Sequence, residues 1–191
     1  MTLDEDTNYI VSGLERSGTS MLMQILDAAG IPCGFDKSRK PDENNPKGYF
    51  ELEGGKIINK LIDGTLYFEK YKGKVIKITA YGLKFLPPGK YKIIYSERNI
   101  EEILDSMEKM AKLSDKNREE TKKAFIALNK MIKRQINSRD DINCLFTNYN
   151  QILTKPSENI KKIHEYLNMP KDTLNKMLSV VDKRLYRNRK K

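Results

Sequence analysis

Residues 8–30, NYIVSGLERSGTSMLMQILDAAG, constrain this chain more than any other stretch. A short apolar run at 9–11 meets a Gly/Ser-rich turn at 12–20. A helical pattern follows, with Met21, Leu22, Ile25, Leu26 and Ala29 on one face. Strand, glycine-bearing turn and helix together form a phosphate cradle. The turn aims backbone N–H groups inward, and the helix adds the positive end of its dipole. Gly13 and Gly18 stand at the G-x-x-x-x-G spacing of a P-loop. A nucleotide-kinase loop continues with Lys and Ser/Thr, to reach the terminal phosphate and hold Mg²⁺. Here Thr19 and Ser20 follow Gly18, and the cation comes earlier, at Arg16. Such a loop suits an anion better than a magnesium-bound triphosphate. Two plainer readings stay open: glycines that serve only packing, and hydroxyls of Ser17, Thr19 and Ser20 that only cap the helix start.

The rest of the chain alternates strand and helix signals. A polar loop at 35–48 (FDKSRKPDENNPKG) is long for a compact domain, a length that tends to be functional or disordered. A helical stretch is expected from Tyr49, with Ile57, Ile58, Leu61 and Ile62 on one face and Gly64 near its end. VIKIT at 75–79 and YKIIYS at 91–96 read as buried strands, separated by the Leu86-Pro-Pro-Gly turn. Asn99 can cap a helix whose apolar positions Ile100, Ile103, Leu104, Met107 and Ala111 share one face. A longer amphipathic helix is expected over 118–138, with Phe125, Leu128, Met131, Ile132 and Ile136 inward. A fourth strand, NCLFT, covers 143–147. One more helix starts at Ser157 and stops at Pro170, and a last one covers 172–181. This order predicts one α/β domain over 1–191, a parallel sheet with helices on both faces. Ligands of such sheets bind at the carboxyl ends of the strands, where the 12–20 turn must lie.

The 191 residues carry enough apolar content (38%) for a core without metal or disulfide help. No run approaches a membrane span, and the acidic start MTLDEDTN is the opposite of a signal peptide's basic region. Cys33 and Cys144 lack a Cys-x-x-Cys partner and His164 is the single histidine, so both cysteines read as reduced thiols of a cytoplasmic protein. A net charge of +10 calls for a negative partner: nucleic acid, an anionic membrane or a multiply phosphorylated cofactor. The densest basic run is at the C-terminus (Arg184, Arg187, Arg189, Lys190, Lys191), and no aromatic-interleaved patch of the single-strand-binding sort accompanies it. Nucleic acid through that tail is therefore the weakest of the partner readings.

The strand at 91–96 ends in Glu97-Arg98-Asn99 and feeds a helix directly, which puts Arg98 on the same rim as the first turn. Ser106, two turns along, has nearly the azimuth of Asn99. An arginine at the helix mouth and a hydroxyl on the same side can grip a second phosphate. An arginine after a strand is also commonly a surface ion pair.

The pair GLERSGTS and KIIYSERNIEEILDS resembles the two cofactor signatures of the PAPS-dependent sulfotransferases, enzymes that use 3′-phosphoadenosine 5′-phosphosulfate (PAPS). The later LFTNYNQILTKPSENIKKIHEYLNMP resembles the family's strand, Tyr-containing turn and helix, and RKPDENNPKGYFE resembles a stretch of its bacterial members. The resemblance runs from Tyr9 to Pro170 and implies a P-loop NTPase-like, three-layer fold. It implies PAPS as donor, with adenosine 3′,5′-bisphosphate as product. Arg16, Ser17, Gly18, Thr19 and Ser20 would then bind the 5′-phosphosulfate, Arg98 and Ser106 the 3′-phosphate, and Tyr149 would lie near the adenine. The family's C-terminal basic loop has its loose counterpart in residues 187–191, beginning with Arg187. Two departures stand out. Arg16 replaces the lysine of cytosolic members, and Thr79 stands where they carry a catalytic histidine, so that base is absent.

Sulfuryl transfer needs a base for the acceptor, in-line positioning, and neutralisation of the leaving phosphate. Arg16 and the 17–20 backbone can serve the last two without metal. No candidate strand ends in a magnesium-type Asp, which argues against a phosphotransferase. Several branches of the family use a glutamate as base, and Glu51 is the first candidate here, Glu43 the second. A plain alternative for Glu51 is an acid favoured by a helix dipole. Lys77 matches the family's strand lysine and could reach the transferred group; a solvated edge lysine is the alternative. Glu15 reads as an ion-pair partner of a neighbouring cation, and His164 as a core or partly exposed histidine. The sequence thus points to transfer of a sulfuryl group from PAPS to an unidentified acceptor hydroxyl or amine. The rivals are a catalytically inactive PAPS- or nucleotide-binding module and, further off, a P-loop small-molecule kinase.

Overall fold

The apolar runs at 9–11, 75–77 and 91–96 become strands buried on both faces, the pattern of an all-parallel sheet. In the computed structural model, which describes residues 3–36, 40–43, 45 and 48–182, the strands are β1 (Asn8–Gly13), β2 (Cys33–Gly34), β3 (Val75–Lys77), β4 (Tyr91–Glu97) and β5 (Ile142–Asn148). All pair in parallel, in the order β2-β3-β1-β4-β5. Because successive strand residues face opposite sides, β1 and β4 each feed two cores. Tyr9, Val11 and Ile94 join one, with Leu22, Ile25 and Leu26 of α1 (Thr19–Ala28), Ile152 of α5 (Tyr149–Thr154), Ile160 and Ile163 of α6 (Pro156–Tyr166) and Met177 of α7 (Leu174–Val180). Ile10, Ile93 and Tyr95 join the other, with Ile57 and Leu61 of α2 (Ile57–Ile62), Ile103 of α3 (Ile100–Ala111) and Ile132 and Ile136 of α4 (Arg118–Asn137). The three-layer α/β arrangement is the expected one.

Several local expectations give way to tertiary context. β2 is two residues long and carries no periodicity; it forms because Val75 N–H donates to Pro32 O at 2.8 Å and lays 33–34 beside β3. The helix expected from Tyr49 starts only at Ile57. Phe50, Glu53, Gly54 and Gly55 all have positive φ, and a 3-10 turn at Glu53–Gly55 intervenes. β3 ends at Lys77, two residues short of the expected strand, although Ile78 N–H still donates to Val11 O at 3.1 Å. α5 was hidden in the sequence as a tyrosine-bearing turn; Asn148 caps it by accepting from Gln151 N–H at 3.0 Å. The last helix begins at Leu174, after a 3-10 turn at Lys171–Thr173. On α4, Met131 is 39% exposed rather than inward, because Ile132 and Ile136 suffice to dock that face.

His164 is buried, with Nε2 2.9 Å from Pro170 O, a core histidine as expected. Cys33 and Cys144 are free thiols, and burial pushes both up to about 12, so they stay protonated at neutral pH. Among the described residues no helix is long and apolar enough to cross a membrane.

The core assignment has a direct check. Ile25→Ala, at a fully buried position of α1, is expected to lower the unfolding free energy by about 2–5 kcal/mol. Ile126→Ala, at a position 48% exposed on α4, is expected to change it by no more than about 0.5 kcal/mol. Urea denaturation of the two variants beside the wild type measures both.

Candidate active site

β1 and β4 are neighbours, yet the chain leaving β1 runs over one face toward β2 while the chain leaving β4 runs over the other toward β5. A crevice opens at such a switch point, beyond the carboxyl ends of the strands. Register decides what meets there. Gly13 pairs with Ser96, and Glu97 with Asn148. The next residues out on β4 and β5, Arg98 and Tyr149, therefore leave the sheet side by side, and Leu14 leaves β1 one residue earlier in register.

The turn after β1 is held tightly. Ser17 N–H donates to Leu14 O at 3.1 Å, and Ser96 Oγ donates to Ser17 O at 2.7 Å. Gly13 has φ 150°, and a Cβ on it would meet Ser17 Oγ and Ser96 O at 2.5 Å each. Gly18 has φ 102°, and a Cβ on it would lie 2.3 Å from the ring of Tyr149. Both glycines of the motif are thus demanded by close approach. Gly18 is also the N-cap of α1, and no side chain caps that helix. The hydroxyls of Ser17, Thr19 and Ser20 are not spent on capping, so the first-turn amides keep their capacity to bind an anion.

Arg98 joins three segments at the crevice. One guanidinium nitrogen donates to Arg16 O at 3.0 Å, and Nε donates to Glu102 Oε2 at 3.1 Å. The guanidinium carbon lies 4.5 Å from the centre of the Tyr149 ring. The ion pair is almost fully enclosed, at 7% and 2% side-chain exposure, and Asn150 Nδ2 donates to both Glu102 oxygens at 3.0 and 3.2 Å. This is no surface ion pair. Arg16, held at φ 63°, turns its side chain toward α3, where Nε donates to Ser106 Oγ at 3.0 Å.

A second group of charged atoms lies on the other side of the turn. Lys77, at the end of β3, is 7% exposed, so it is not a solvated edge lysine. Its Nζ donates to Tyr49 O, lies 3.4 Å from Ser20 Oγ and 3.5 Å from Glu51 Oε1. Ser20 Oγ donates to the same Tyr49 carbonyl at 3.2 Å. Glu51 sits in the extended stretch before the Glu53–Gly55 turn, outside any helix, so a helix dipole is not what fixes it there.

One cleft of about 410 Å³ collects these groups. Arg16, Gly18, Thr19, Ser20, Lys77 and Glu51 line it, as do Arg98, Ser106 and Tyr149. Ser17 does not: it is 1% exposed, with its hydroxyl beneath the turn. Glu43 lies outside the cleft in an exposed pair with Lys112 at 3.6 Å. Glu15 lines the cleft, and Arg187 falls outside the described residues. The sequence reading missed Lys109, Leu52, Ile57, Ile58 and Asp182 as lining groups. Lys109 had a usable signal, standing one turn beyond Ser106. Asp182 had none, because it arrives through the packing of α7 on α1.

Residues 6–191 match the sulfotransferase domain family, and the chain belongs to that family. Its fold is shared with the sulfotransferase STF1 of Mycobacterium tuberculosis (TM-score 0.58, 12% identity, 93% of this chain and 71% of that one). It is shared also with mouse sulfotransferase SULT7A1, solved in complex with PAP (0.52, 14%, 94% and 66%). The sulfotransferase domain of the curacin biosynthetic pathway is a third such structure (0.50, 13%, 91% and 77%). No curated protein matches the sequence.

The contact of Gly18 with Tyr149 is testable by a double-mutant cycle. Gly18→Ala is expected to cost about 1–3 kcal/mol of stability, and clearly less in a Tyr149→Ala background where the clashing ring is gone. Chemical denaturation of the four proteins measures the difference. Equal costs in both backgrounds would remove the ring as the reason for the glycine.

Proposed function

We propose that this chain is a PAPS-dependent sulfotransferase acting on an acceptor hydroxyl or amine. The observation that carries the reading is the single cleft: phosphate-binding candidates fill one part, and a carboxylate beside a buried lysine borders the same turn. The donor set suits a multiply charged phosphate ester. Arg16, Lys77 and Arg98 are cations, Thr19, Ser20 and Ser106 offer hydroxyls, and the start of α1 is free of side-chain caps. In this reading the first turn of α1, Arg16 and Ser20 hold the 5′-phosphosulfate. Arg98 and Ser106 hold the 3′-phosphate, and Tyr149 flanks the adenine. When bound, PAPS supplies an activated sulfuryl group and leaves as adenosine 3′,5′-bisphosphate.

Glu51 takes the proton of the acceptor. Its Oε1 is 3.5 Å from Lys77 Nζ, which orients the carboxylate and keeps a positive charge beside the turn. Arg16 and Lys77 meet the charge that develops on the leaving phosphate, the kind of preorganised stabilisation that dominates such barriers. Thr79 lines the cleft, but a threonine hydroxyl is too weak a base to replace histidine, which is why Glu51 takes that role. The two free thiols favour the cytoplasm as its compartment.

Release of adenosine 3′,5′-bisphosphate from PAPS, followed across a panel of simple alcohols, phenols and amines, tests the proposal. The wild type is expected to turn over with at least one acceptor. Glu51→Gln is expected to lower kcat by about 10²–10⁴ while its affinity for the bisphosphate stays within about twofold. Tight binding of the bisphosphate with no turnover on any acceptor would favour the inactive binding module. A Glu51→Gln variant as fast as wild type would remove Glu51 as base.

A further inference from the structure

Four cations line the cleft among the described residues: Arg16, Lys77, Arg98 and Lys109. Three are tied to groups of the fold: Lys77 to Glu51, Arg98 to Glu102 and Arg16 to Ser106. Lys109 differs. It is exposed, and among the described residues it makes no ion pair. It stands three residues beyond Ser106 on α3. That offset turns it by only about 60° around the helix and moves it about 4.5 Å along the axis. Glu102, Ser106 and Lys109 thus form one stripe of α3, with Arg98 at its head.

Building on the cofactor reading above, we infer that Lys109 is a further phosphate-binding residue, directed at the 3′-phosphate of the nucleotide. The charge of Arg98 is offset by an enclosed carboxylate at 3.1 Å, so its attraction for a dianion is reduced by the partner it already has. An arginine in that position supplies direction more than net charge. Ser106 supplies a hydroxyl and no charge. A phosphate seated against this stripe still needs a cation without a carboxylate of its own, and Lys109 is that group on α3. Its flexible four-carbon stem and compact ammonium suit a point-charge contact where Arg98 provides the fixed fork. In the cofactor reading the 5′ end of the nucleotide lies against the turn after β1 rather than against α3. Lys109 therefore discriminates for the second phosphate and leaves the first alone. A last-turn lysine also interacts favourably with the negative end of the helix dipole, but that role affects stability only and is blind to which nucleotide is present.

Wild type, Lys109→Gln and Lys109→Glu are titrated calorimetrically with adenosine 3′,5′-bisphosphate and with 5′-AMP, at low and at moderate salt. Lys109→Gln is expected to weaken the bisphosphate about three- to tenfold and Lys109→Glu further. 5′-AMP stays within about twofold, and the bisphosphate effect shrinks as salt screens it. If wild type prefers the bisphosphate and both variants titrate like it, or lose both nucleotides equally, the assignment of Lys109 is overturned and the cofactor reading stands. If wild type itself shows no preference for the bisphosphate, the cofactor reading falls and Lys109 falls with it.

Discussion

The hydrogen bond from the Arg98 guanidinium to the carbonyl of Arg16 joins the turn after β1 to the helix after β4. Arg16 sits at φ 63°, a left-handed conformation that costs a non-glycine residue roughly 1–3 kcal/mol and persists only when its surroundings fix it. Arg98 provides that fixing at the carbonyl, and Ser106 takes the side chain. Arg98 is itself an enclosed cation and needs Glu102, whose oxygens also accept from Asn150. Removing one partner of such a pair costs about 3–5 kcal/mol, because the other is left charged and enclosed. The pair adds little net stability on the same reasoning. What it contributes is position: it fixes the turn after β1, α3 and α5 at one point, with the Tyr149 ring against both Arg98 and Gly18.

Tyr49 does the corresponding work on the other side of the turn. Its carbonyl accepts from both Lys77 and Ser20, and its hydroxyl donates to Asp42 at 2.7 and 2.8 Å to the two carboxylate oxygens. Gln24 Nε2 donates to Asn45 Oδ1 at 3.3 Å and to Gly48 O at 3.4 Å, a second anchor of the same long polar connection on α1. The connection between β2 and α2 is thereby fastened to the turn that would carry the phosphosulfate. A shift in either would be felt by the Lys77–Glu51 pair.

Much of this was legible in the sequence, for physical reasons. β1, its turn and α1 are contiguous, and the positive φ of Gly13 and Gly18 is a local demand, although Ser96 and Tyr149, which crowd them, are distant in sequence. Arg98 comes just before the N-cap of α3 and Ser106 lies two turns into that helix, so short-range spacing puts them on one side. The parallel sheet followed from alternating elements and from strands without polar faces. What escaped depends on contacts distant in sequence. β2 exists through its pairing with β3. The stretch at 49–55 carries helix-compatible residues yet takes positive φ four times, and the Tyr49 carbonyl is held by Lys77 and Ser20 while its hydroxyl is held by Asp42 of the preceding connection. The burial of Lys77 follows from what covers β3. Asp182 reaches the cleft only because α7 docks on α1. The identity of 12–14% to the solved sulfotransferases fits the same division. Packing tolerates wide substitution when volume and pattern are kept, and a shared fold does not by itself carry an activity.

In the proposed function the cleft at the β1/β4 switch point recognises a nucleotide by two separate phosphates. Calorimetric titration of the wild-type protein with adenosine 3′,5′-bisphosphate, beside 5′-AMP and Mg·ATP, tests it most directly. The bisphosphate is expected to bind at least about tenfold more tightly than 5′-AMP, a difference of about 1.4 kcal/mol, and more tightly than Mg·ATP. Tightest binding by Mg·ATP, or equal binding of the bisphosphate and 5′-AMP, would contradict it.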